Sequence, residues 1–146
     1  MPATLGTPVE VPIEPTGGLT AVAANTTATF ALPATTFETN IVSSPVLQPG
    51  TYLVIVGLNV LNGATAGQVE LTLTTGSATA TMTGIITTGQ NIVASGEASL
   101  LMAVLAVVTA AGTLQINGQA TQNMTVEFTS QNSYPGVTGW TIVRMA

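Results

Sequence analysis

A Pro49-Gly50 turn feeds Tyr52–Leu61, an almost unbroken run of β-branched and aliphatic residues that stops at Asn62-Gly63, a strong turn dipeptide. Strict alternation would leave one face of such a strand in water, whereas a continuous apolar run asks for burial on both. The run therefore predicts a central strand covered by a second sheet or by another subunit. Other stretches do alternate. In Gln68–Thr74, Val69, Leu71 and Leu73 interleave with polar residues, and Met124–Thr129 repeats the pattern, as half-buried antiparallel strands do. Shorter strands are expected at Ala28–Leu32, ended by Pro33, and at Phe37–Val42, closed by Ser44-Pro45. Gly76 is expected to turn into Ala78–Thr88, anchored by Ile85 and Ile86. Thr113–Ile116 is read as ending at a second turn, Asn117-Gly118, and Gly139–Met145 closes the chain.

Residues 98–111 carry two signals. Leu100, Leu101, Met102 and the alanines favour helix, with Gly112 as a C-cap. A lone helix that is apolar all round would need a shell around it, and its neighbours all read as strands. Val104, Val107, Val108 and Thr109 are β-branched, so the stretch is assigned as a buried strand. Roughly ten short strands with Gly, Pro and Asn punctuation predict an all-β chain, an antiparallel β-sandwich or jelly roll over residues 20–146. Residues 1–19 differ. Pro2, Pro8, Pro12 and Pro15 punctuate them, and Val9, Val11 and Ile13 alternate with Glu10, Pro12 and Glu14. Proline favours extended backbone. This segment reads as an extended N-terminal arm whose apolar side docks on a neighbour.

Composition narrows the function classes. The 146 residues include one basic and six acidic side chains, with no His and no Cys. The base is Arg144, and the acids are Glu10, Glu14, Glu38, Glu70, Glu97 and Glu127. A single Arg cannot neutralise a phosphate backbone, so nucleic acid is not an expected partner. The usual zinc and copper ligands are missing, as are Ser-His and Cys-His pairs and disulfides. No Glu pair has rigid support, and no cofactor site or enzymatic activity is expected. Neither a signal peptide nor a stretch long enough to span a bilayer is apparent, and no membrane partner is expected. Solvent-facing strand positions fall mainly to Thr, the most frequent residue, which is β-branched, polar and uncharged.

The Pro49-Gly50-Thr51-Tyr52 entry into a long apolar strand, Val69–Thr74 followed by Gly76, the order of Gly96–Thr109, Thr113–Gly118 and Met124–Thr129, and the closing Trp140-Thr141-Ile142-Val143-Arg144 together resemble the trimeric jelly rolls of the tumour-necrosis-factor/C1q superfamily. The microbial and bacteriophage members are the most similar. The resemblance covers residues 28–146 and implies a homotrimer with apolar strand faces near a threefold axis. Tyr52, Val54, Val56, Leu101, Val104, Trp140 and Ile142 are the residues expected at the oligomer interface or in the core.

Two functions from different classes follow. The first is a structural virion protein: a decoration or cementing protein on the exterior of a phage head. Its arm residues Val9, Val11 and Ile13 would contact the major capsid protein. The alternative is a trimeric fibre tip or surface knob that binds a host glycan. For that role Trp140 and Tyr134, beside Gln131 and Asn132, are one candidate stacking platform, against the plainer reading of Trp140 as core or interface filler. Arg144 is expected to pair with a carboxylate rather than to bind a free anion.

Overall fold

The computed structural model describes residues 28–128 and 139–145. The arm, with Val9, Val11 and Ile13, lies outside the described residues, as do Gln131, Asn132 and Tyr134. Every regular element described is a strand. These are β1 (Ala28–Leu32), β2 (Phe37–Ser43), β3 (Gly50–Asn62), β4 (Gly67–Thr75), β5 (Thr79–Ile85), β6 (Thr87–Ile92), β7 (Glu97–Ala110), β8 (Leu114–Ala120), β9 (Met124–Phe128) and β10 (Gly139–Arg144).

The strands form two antiparallel sheets. The first has the order β1-β9-β3-β7-β5, with β10 also on β3; the second has the order β2-β8-β4-β6. From β1 to β9 the chain changes sheet at every connection. Such winding closes two sheets face to face and gives a jelly-roll type of β-sandwich. β9 and β10 share one edge of β3: β9 pairs with Asn59–Asn62 and β10 with Tyr52–Gly57.

The core lies between the sheets. Val54, Val56, Leu58, Met102, Val126 and Ile142 enter it from the first sheet, and Leu71, Leu73, Leu114 and Ile116 from the second. Leu47 adds a lid at one end, where its backbone bridges to Gly112 through two hydrogen bonds of 2.7 and 3.0 Å.

The stretch that carried two signals is strand, not helix, through Ala110: β7 pairs with β3 in continuous register from Gly50↔Val108 to Leu61↔Glu97. Three sequence expectations are corrected. First, β3 and β7 are central and covered by the second sheet as expected, but within the single subunit that cover reaches only their inward face. Burial alternates along β7, and Leu53 on β3 and Leu101 on β7 are exposed. The outward positions are apolar by composition, so the sequence lacks the polar alternation that would have revealed a second face.

Second, Ile85 and Ile86 do not anchor a core strand; both are exposed. The chain changes sheets between them, because β5 pairs with β7 while β6 pairs with β4. Third, Asn117-Gly118 is not a turn but lies inside β8. The Asn117 side-chain oxygen accepts from the Asn40 backbone N–H at 2.8 Å, and its amide donates to the Thr74 hydroxyl at 3.2 Å. A Cβ at Gly118 would sit 2.7 Å from Leu71 Cδ2 and 2.8 Å from Ile41 Cδ1. This glycine makes room for the side chains of the two flanking strands of its own sheet rather than reversing the chain.

Candidate interaction surface

The two central strands set the geometry. Paired residues of an antiparallel ladder share a face, so the outward positions of β3, β5, β7 and β10 can be laid out from the register. Leu53 stands between Leu105 of β7 and Val143 of β10, and Ile55 stands between Ala103 and Thr141. On the far side of β7, Thr83 adjoins Leu105 and Ile85 adjoins Ala103. Gly57 lies beside Leu101 and leaves a flat spot at its side. The result is a contiguous apolar field on the outer face of the first sheet. Within it Leu101 is 52% exposed, Leu105 and Val107 are each 42% exposed, and Ile85 is 59% exposed.

The rim of this field is neutral and polar. Thr51, Thr81, Thr83 and Thr141 border it on the same face. At one end Asn59 pairs with Ser99 on β7 and with Glu127 on β9, and its amide approaches a Glu97 carboxylate oxygen at 3.4 Å. An apolar centre depleted of charge within a polar rim is the anatomy of a protein–protein contact, and contiguous apolar patches of this kind are uncommon on free monomers.

The residues expected at interface or core separate into two groups. Tyr52, Val54, Val56, Val104, Trp140 and Ile142 all face the sandwich interior and are buried. Leu101 alone of the seven lies on the outer face. Leu101 and Val104 are three positions apart on one strand, which puts them on opposite faces. The period-2 pattern therefore also points to Leu53, Leu105, Val107 and Val143, which the sequence reading passed over.

Burial of Trp140 removes it as a stacking platform for a ligand. Among the described residues the Arg144 guanidinium donates to the Pro49 carbonyl at 2.9 Å and lies 6.0 Å from the centre of the Tyr52 ring. Tyr52 in turn donates its hydroxyl hydrogen to the Gln48 carbonyl at 2.8 Å, so the pair closes one end of the sandwich. Among the described residues no group of His, Cys, Asp and Glu could hold a metal ion, and no helix is long and apolar enough to cross a membrane. No family model matches the chain, and neither the curated proteins nor the solved structures offer a similar relative.

Proposed function

We propose that this protein is a structural assembly component, a homotrimeric jelly roll that decorates or cements the exterior of a viral shell. The observation that carries the reading is the apolar field on the outer face of the first sheet, centred on Leu53, Leu101 and Leu105. Packing that face against copies of the chain removes it from water, at roughly 25 cal/mol for each Å² of apolar surface buried. Charge contributes little, because Arg144 is the only basic side chain. The winding of the two sheets supports the jelly-roll part of the reading. The arm with Val9, Val11 and Ile13 is the element assigned to the major capsid protein. A strand added to a neighbour gains main-chain hydrogen bonds and side-chain pockets, and three arms act multivalently.

The test has two stages. Sedimentation of the full chain at micromolar concentration should give a trimer; a monomer overturns the assembly reading. Co-sedimentation with undecorated shells of the source virus then compares the full chain with a chain lacking residues 1–19. The truncated trimer should bind more weakly. Equal binding would reject the arm as anchor, and no binding by the full chain would reject the cementing role.

A further inference from the structure

The outer face of the second sheet differs in kind from that of the first. A depression of about 490 Å³ opens there, bordered by Gln68, Glu70, Gln90, Asn91, Gln119 and Thr121. Its layout follows from the register. Phe37, Gln119, Glu70 and Gly89 form one row across β2, β8, β4 and β6. Gln68 and Asn91 form the neighbouring pair. Gly89 brings no side chain to the row, so the wall beside Glu70 is low on that side. Phe37 flanks the row at the other end, with 57% of its surface exposed. Among the described residues no protein group hydrogen-bonds the side chains of Gln68, Glu70, Asn91 or Gln119, so their donors and acceptors are open to a ligand.

We propose that this trough binds a neutral glycan. Sugar hydroxyls both donate and accept, and a carboxylate flanked by primary amides matches them: the acid takes hydroxyl hydrogens, while each amide offers one acceptor and two donors. An exposed aromatic ring at the end of the row suits the C–H face of a pyranose, and Phe37 occupies that place. Anionic ligands are disfavoured. Glu70 is central to the site, and Arg144, the sole basic side chain, belongs to the other sheet. An extended peptide would find no main-chain partners on the floor, because β4 and β8 are already bonded to each other there. The trough is on the sheet opposite the apolar field, and the proposal does not depend on the assembly reading. Three copies in a trimer would make a weak single site effective.

The test uses the full chain in amide-resolved NMR titrations with maltotriose, cellotriose, mannotriose and chitotriose, and with sialyllactose as the acidic control. At least one neutral trisaccharide should move the amides of residues 68–70, 89–91 and 119–121, with a dissociation constant in the millimolar range or tighter. Glu70→Ala and Gln119→Ala change exposed side chains and should leave the remaining spectrum in place. Glu70→Ala should weaken binding by roughly tenfold, the scale of a hydrogen bond to a charged group. The proposal is overturned if none of the four moves these amides, if Glu70→Ala binds as well as the parent chain, or if sialyllactose binds equally.

Discussion

Val104 and Leu105 are neighbours on β7 with opposite surroundings. Val104 is 2% exposed and faces the sandwich interior, paired with Val54. Leu105 faces outward, between Leu53 and Thr83. The same substitution should therefore have two different effects. Val104→Glu places a carboxylate in an apolar interior without a partner, which should destabilise the fold by about 4 kcal/mol or more. Chemical denaturation of the variant, or its failure to accumulate in soluble form, reads this directly. Leu105→Glu should leave the circular dichroism spectrum close to that of the parent chain while abolishing the trimer in sedimentation, with a thermal midpoint lowered only by the lost association. A trimeric Leu105→Glu would remove the outer face from the interface, and a well-folded Val104→Glu would contradict the inward orientation of that residue.

At the scale of elements, the end of the β3–β7 pair is held by one side chain. The Asn62 amide lies within hydrogen-bonding distance of the Thr65, Ile92 and Val93 carbonyls, at 2.9, 3.0 and 3.0 Å. Asn62 thereby ties the end of β3 to the loop before β4 and to the end of β6, across the two sheets. Its backbone N–H donates to the Gly96 carbonyl, and the Ser95 N–H donates to the Gly63 carbonyl, so the two turns meet there. Asn62→Ala leaves buried carbonyls short of a donor and should lower stability by about 1–3 kcal/mol. Hydrogen exchange at the Ser95 and Gly96 amides should accelerate more than exchange in the centre of β7. Uniform exchange across the chain would mean that Asn62 pins nothing locally. The bulge in β2 plays a comparable part: the register shifts between Glu38 and Val42, and Asn40, at φ 55°, presents its N–H to Asn117.

For the whole molecule, the two outer faces differ in kind. One is apolar with a threonine rim, and the other is polar with a trough around Glu70. The apolar field carries no ionisable group at its centre, while Glu97 and Glu127 stand at one end of that face. A trimer built on it should be nearly indifferent to ionic strength, because screening acts on charges and not on apolar burial. Sedimentation between low salt and about 1 M salt, where the Debye length is near 3 Å, measures this. Marked dissociation at high salt would place charged contacts, and not the apolar field, at the interface.

The pattern of residues by itself determined the class of the fold. Apolar runs broken by Pro-Gly and Asn-Gly, alternation in Gln68–Thr74 and Met124–Thr129, and β-branched residues through Val104–Thr109 all specify strands, and Thr in outward positions keeps them neutral. Composition likewise determined which chemistry the chain lacks, since an absent His or Cys is absent in every fold. The tertiary structure decided the rest. Where apolar residues occupy both faces of a strand, as in β3 and β7, periodicity carries no information about which face is covered, and only sheet pairing separates Leu101 from Val104. Asn117-Gly118 has the letters of a turn, yet long-range contacts with Asn40, Ile41 and Leu71 hold it in a strand. The row of Phe37, Gln119, Glu70 and Gly89 joins residues up to 82 positions apart (119 − 37 = 82), and hydrogen-bonded register alone brings them side by side.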